Sequence, residues 1–124
     1  ILNKVETMDR EKKVKQAVEW VGLTDKLNSK PAMLSGGECQ RTAIARAIVH
    51  QPALILADEP TANLDAENSH HIMKIMVRLN QELSTSFVFA THDEKIMGYL
   101  RRILHLEDGK IIEDEKNDKP KYGK

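Results

Sequence analysis

Cysteine is almost missing: Cys39 is the one thiol in 124 residues. It cannot close an internal disulfide, which suits a reducing compartment. Aromatic side chains are scarce too, with one Trp, two Tyr and two Phe, too few to build a stacking platform for bases. Neither sign of charge is in excess. Nineteen Lys and Arg face nineteen Asp and Glu, so no global field grips a phosphate backbone or an anionic bilayer, and nucleic acid is not an expected partner. The longest unbroken apolar run, Ala53 to Ala57, is five residues, whereas a membrane-spanning helix needs roughly 20. The N-terminus is too charged for a secretory signal, which makes the cytoplasm the expected location. An initiating methionine is missing as well: the chain opens on Ile1, so coding sequence is expected upstream.

What remains is the composition of one soluble domain or a piece of one, 40% apolar and 31% charged. Val14, Ala17, Val18 and Val21 recur at helical spacing between Asp9 and Val21, and Gly22 is placed to end that helix in the left-handed conformation. Ser35-Gly36-Gly37-Glu38 has the form of a capping box ahead of Ala43, Ile44, Ala47 and Ile48, predicting a second helix that stops near Pro52. Ala53–Ala57 and Ser86–Ala90 are short solid apolar runs, the pattern of parallel strands buried on both faces. Between them Ile72, Ile75, Met76, Leu79 and Leu83 mark an amphipathic helix, so strand, helix and strand form a crossover unit. Ile103–Leu106 and Lys110–Ile112 flank Asp108-Gly109, a strong hairpin turn, and Glu113 onward reads as a charged tail without apolar period. The fold class is α/β, with a helical section over 1–51, a sheet section over 52–113 and a polar, disordered tail over 114–124.

Three places could carry chemistry. Ser35, Gly36, Gly37 and Glu38 set two glycines and a hydroxyl at a helix start, where free N–H groups can meet a phosphate; an ordinary well-capped helix would look the same. Asp58 and Glu59 end a buried strand, where two adjacent acids call for a hard cation such as Mg²⁺ or for hydrogen bonds. Alternation along the strand would separate their roles, one serving a metal and the other a water. His92 follows the second strand and converges on the same sheet edge. His50, His70, His71 and His105 read as surface or hydrogen-bonded residues. No pair of them has zinc-ligand spacing, so a zinc site is not expected.

Leu34-Ser-Gly-Gly-Glu38, Leu54-Ile-Leu-Ala-Asp58-Glu59-Pro60, Asn63-Leu-Asp65 and Thr91-His92-Asp93, in this order, resemble the motifs of the ATP-binding-cassette (ABC) ATPases. The style of the Pro52–Asp65 stretch is similar to bacterial exporters of the lipoprotein-releasing and macrolide-export type. The resemblance implies a P-loop NTPase-like fragment: a helical signature subdomain, then part of a parallel sheet and a C-terminal β-hairpin. It implies ATP and Mg²⁺ as cofactors. Ser35 and Gly37, within the Ser35–Glu38 signature loop, match groups that meet the γ-phosphate of ATP held by the other subunit of a head-to-tail dimer. Asp58 matches the Walker B aspartate, holding Mg²⁺ through water. Glu59 matches the base that polarises the attacking water, His92 the switch histidine on the γ-phosphate, and Asp65 the loop that couples the two sites.

The implied partners are a second nucleotide-binding domain and a transmembrane permease, with the subunit peripheral on the cytoplasmic face of the membrane. No Gly-x-x-x-x-Gly-Lys-Ser/Thr occurs in the chain, so it resembles the C-terminal part of a cassette and is expected to be inactive alone. A different reading is a non-catalytic module that lends its signature helix to another cassette. A third, a chromosome-maintenance ATPase, would need long heptads before Ser35, and these are missing.

Overall fold

The computed structural model describes residues 4–121. Helix α1 (Lys4–Trp20) starts well before Asp9 and ends where Gly22 predicts. Gly22 has φ +71°, its N–H donates to Glu19 O, and the Leu23 N–H donates to Val18 O, both at 3.0 Å. This pairing satisfies two of the carbonyls that a helix end leaves open. Others are taken from outside: Arg41 Nη1 donates to Val21 O and Gly22 O at 3.2 and 3.3 Å, and Arg78 Nη2 donates to Trp20 O. Ala17 and Val21 are buried, whereas Val14, one residue of the expected stripe, is exposed.

Helix α2 (Gly36–Ile48) is capped by Ser35, whose Oγ accepts from Glu38 N at 3.2 Å. Its buried stripe is Ile44, Ala45 and Ile48, so it is turned slightly from the expected one and leaves Ala43 and Ala47 in solvent. Strands β1 (Leu54–Asp58) and β2 (Ser86–Ala90) pair in parallel, Leu54 opposite Ser86 and Asp58 opposite Ala90. Helix α3 (Ala66–Leu83) connects them and buries Ile72, Met73, Ile75, Met76 and Leu79.

The sheet corrects one expectation. Its strands are covered on one face only: Ile55, Ala57, Phe87 and Phe89 pack against the core, while Leu54, Leu56 and Val88 are exposed, Leu56 by 74%. A solid apolar run is the mark of two-sided burial, and among the described residues only the helical side is supplied. The core itself is one cluster running from Ala17 and Val21 through Ile44 and Ile48 to Ile72, Leu79 and Ile96, so it crosses the division drawn at residue 51.

A short helix α4 (Glu94–Met97) leads into β3 (Arg102–Glu107) and β4 (Lys110–Lys116), an antiparallel hairpin. Asp108 and Gly109 both have positive φ, +47° and +75°, the geometry of the type I′ turn that Asp-Gly favours. The tail expected from 114 is corrected as well. Residues 114–116 continue β4, where Asp114 takes a two-pronged bond from Arg102 at 2.9 and 2.8 Å. Asn117 N then donates to Arg101 O and Lys121 N to Gly98 O. Cross-strand charge pairing replaces the apolar period that marks a strand in the sequence. Residues 122–124 of that tail lie outside the described residues.

Candidate functional site

The carboxyl ends of β1 and β2 lie side by side because the register sets Asp58 opposite Ala90. Immediately past β1 the chain turns: Glu59 has φ +47°, and its N–H donates to Ala90 O at 2.8 Å. A left-handed glutamate is uncommon and must be held in place by its surroundings. The separation of the two acids thus comes from this turn and not from strand alternation alone. Glu59 Oε1 lies 2.7 Å from His92 Nδ1, and Thr91 Oγ1 donates to Glu59 Oε2 at 3.3 Å. A carboxylate can only accept, so His92 Nδ1 carries the proton of that bond. The imidazole is otherwise in solvent, its side chain 92% exposed, which leaves Nε2 open to a ligand. Asp58 is exposed, and its carboxylate makes no hydrogen bond or ion pair among the described residues. An unengaged carboxylate beside the Glu59–His92 pair fits a hard cation held through water.

A second tier supports this edge. Thr61, 2% exposed, donates from Oγ1 to Asp93 Oδ2 at 2.7 Å. Asp93 Oδ1 accepts from Lys95 N and caps α4, while Asp93 N donates to Thr91 Oγ1. Gln40 Nε2, from α2, donates to Pro60 O at 2.7 Å. Helix α2 is therefore tied to the loop that carries Glu59. Residue-type reasoning singled out none of Gln40, Thr61, Thr91 and Asp93 for a role. Their partners are 32 residues away in the Thr61–Asp93 and Thr91–Glu59 bonds and 20 away in the Gln40–Pro60 bond, and only the fold brings them together.

Thr61 and the Lys95 N–H hold the Asp93 carboxyl below its ordinary value, the threonine hydroxyl contributing most. The folded state thus favours charged Asp93. Its stabilisation is present above the ordinary carboxylate pKa of about 3.9 and is lost as pH falls through the lower folded value. Thr61→Val is expected to cost about 1–3 kcal/mol near neutral pH. Urea unfolding at a series of pH values checks this: the gap between variant and parent should narrow as the solution is acidified, and a gap independent of pH would contradict it.

The glycine turn forms a separate group. A Cβ at Gly37 would meet Asn68 Oδ1 at 2.6 Å, and one at Gly36 would meet Leu64 Cδ2 at 3.6 Å. Ser35–Gly37 therefore packs on the turn into α3, which Asp65 caps by accepting from Asn68 N at 2.8 Å. Glu38 makes only half of the expected capping box. Its N–H bonds Ser35, but its Oε2 is shut off from water without a hydrogen-bond partner, 4.0 Å from Lys26 Nζ. The structure thus joins Asp58, Glu59 and His92 at one edge, and Ser35, Gly36, Gly37 and Asp65 at another. Among the described residues no hydrogen bond or ion pair links Ser35, Gly36, Gly37 or Glu38 to Glu59 or His92.

Known proteins share this arrangement of sequence and fold. The family model described as "ABC transporter" matches residues 2–62. The lipoprotein-releasing system ATP-binding protein LolD of Legionella pneumophila (strain Lens) is 48% identical over 107 residues, which is 86% of this chain and 47% of that protein. The cell division ATP-binding protein FtsE of Streptococcus pneumoniae serotype 2 is 45% identical over 113 residues, 90% of this chain and 48% of the other. A dimeric ATP-binding cassette solved in a post-hydrolysis state with ADP and Pi superposes with a TM-score of 0.74 at 37% identity, over 94% of this chain and 49% of that one. The chain spans about half the length of the curated relatives it matches.

Proposed function

Because the chain belongs to the ABC transporter ATPases, we propose that it carries the hydrolytic edge and the signature turn of an ATP-binding cassette. In this reading the cassette hydrolyses ATP in a head-to-tail dimer and drives export through a membrane permease, itself lying on the cytoplasmic face. No described helix is long and apolar enough to cross a membrane. The observation that carries the reading is the Glu59–His92 contact at 2.7 Å beside an unengaged Asp58.

Phosphoryl transfer asks a protein for a positioned water, neutralised charge and aligned donors, and for little covalent chemistry. Glu59, steadied by Thr91 and His92, takes the proton of the attacking water. His92 Nε2 reaches the γ-phosphate. Asp58 is the residue to hold Mg²⁺ through water, and the ion when bound neutralises phosphate charge. Ser35, Gly36 and Gly37, at the positive end of α2, cradle the γ-phosphate of a nucleotide held chiefly by the opposite subunit. Asp65, in the turn beneath them, relays between the two sites.

The test is a chimera in which the first half of a LolD-type relative precedes this chain. It is expected to release phosphate from ATP in a Mg²⁺-dependent way, and Asp58→Asn is expected to weaken that dependence. A folded chimera that binds ATP yet releases no phosphate would refute the reading. A second reading, resting on the capped glycine turn Ser35–Gly37 packed on the start of α3, is a non-catalytic dimerisation module that lends its signature turn to another cassette. Under that reading the chain alone, added to a complete cassette, alters the cassette's rate.

A further inference from the structure

The β3–β4 hairpin holds a group of side chains that phosphoryl transfer does not use. His105 on β3 stands directly across from Glu113 on β4, and Glu115 follows two residues on, along the same face. A ring nitrogen of His105 and one carboxylate oxygen from each glutamate lie within 4.8 Å of one another. This grouping depends on an irregularity in the ladder. Glu107 pairs with Lys110 and Leu106 with Ile111, but His105 pairs with Glu113, so Ile112 is an extra residue in β4. Without that bulge His105 would face Ile112, and both glutamates would turn to the opposite face of the hairpin.

The three groups are poorly satisfied as they stand. His105 Nε2 is 3.2 Å from Glu115 Oε1, an ion-pair contact without hydrogen-bond geometry; that nitrogen is turned away from water although the imidazole as a whole is 42% exposed. Among the described residues neither Glu113 nor Glu115 has a Lys or Arg at ion-pair distance; the Arg102 guanidinium is committed to Asp114. Two carboxylates beside a ring nitrogen that makes no hydrogen bond form a donor set that a cation would satisfy, with the imidazole in the tautomer that leaves Nε2 unprotonated.

We propose that His105, Glu113 and Glu115 bind one divalent transition-metal ion of the Zn²⁺ class, bridging the two strands. Two carboxylates balance the ion's charge, and an imidazole selects Zn²⁺, Ni²⁺ or Cu²⁺ over the hard cations that all-oxygen sites prefer. Three protein ligands leave a fourth position of a tetrahedral ion open to water or to a donor from another molecule. Histidine spacing along the sequence gives no hint of the site, because its ligands come from both strands.

Equilibrium dialysis of the chelator-treated chain against ZnCl₂, with Mg²⁺ in excess, is expected to show one ion retained per chain. Co²⁺ in its place should give visible d–d absorption bands. Outer-sphere partners of a metal ligand are worth about 10–100-fold in affinity, so losing a ligand should cost at least tenfold. His105→Ala is expected to show that loss, and His50→Ala to bind as the parent does. The double variant Glu113→Gln/Glu115→Gln keeps side-chain size, and its circular dichroism verifies that the hairpin survives. It too should lose the ion. Failure of the parent chain to retain a stoichiometric ion at concentrations up to roughly 100 µM, or unchanged binding by both the His105 and the glutamine variants, would overturn the proposal.

Discussion

Glu59→Gln in a cassette containing this chain is expected to leave ATP binding intact and to reduce hydrolysis by roughly 10² or more, the loss typical when a general base is removed. The structure explains why binding should survive. The amide oxygen of glutamine can still accept from His92 Nδ1, the partner at 2.7 Å, and its NH₂ can donate to Thr91 Oγ1, a hydroxyl with acceptor capacity. The turn at φ +47° and the Glu59 N–H bond to Ala90 O involve only backbone. What is lost is the capacity to take a proton. Nucleotide binding followed by fluorescence alongside phosphate release separates the two effects. Turnover within a few-fold of the parent would remove Glu59 from the role of base.

The second large effect concerns the glycine turn, where two physical effects oppose each other. Replacing a helical glycine by alanine ordinarily stabilises by up to about 1 kcal/mol. At Gly37 the new methyl would lie 2.6 Å from Asn68 Oδ1 and 3.1 Å from its Cγ, and overpacking of that kind costs about 1–3 kcal/mol. The Asn68 backbone is held by its N–H bond to Asp65, so relief requires the exposed amide to swing out of its present rotamer. We expect Gly37→Ala to destabilise the chain in urea unfolding. In an Asn68→Ala background the nearest remaining side-chain atom of residue 68 is Cβ at 3.6 Å, an ordinary contact, and the sign should reverse. A Gly37→Ala substitution that is neutral or stabilising in both backgrounds would show that helix and turn are not pressed together as described.

What could be read in advance was local. Gly22 as terminator, Ser35 as cap, Asp108-Gly109 as turn and the Ile72–Leu79 stripe each depend on residues within one or two turns of one another, and the structure repeats them. Periodicity could place the apolar runs Ala53–Ala57 and Ser86–Ala90 as strands, but not say how many layers cover them. Leu54, Leu56 and Val88 are the residues on which that expectation failed. The charged stretch after Glu113 carries no strand signal in the sequence, because a hairpin edge can be held by pairs such as Arg102–Asp114 without apolar alternation. The acid and imidazole of the candidate site were legible as types at strand ends. Their supports, Thr61 on Asp93 and Gln40 on Pro60, were not, because nothing in the chain between them encodes the meeting.

The two guanidiniums at the end of α1 bear on the order in which the molecule assembles. Arg41 is rooted in α2 and Arg78 in α3, the latter 58 positions from the carbonyl it serves. The carbonyl end of α1 is thus finished by the two helices that follow it, and an isolated α1 peptide would lack both cations that close that end. Translation makes α1 before α2 and α3, so the bonds that Arg41 and Arg78 give to its carbonyl end form only after those helices have been made.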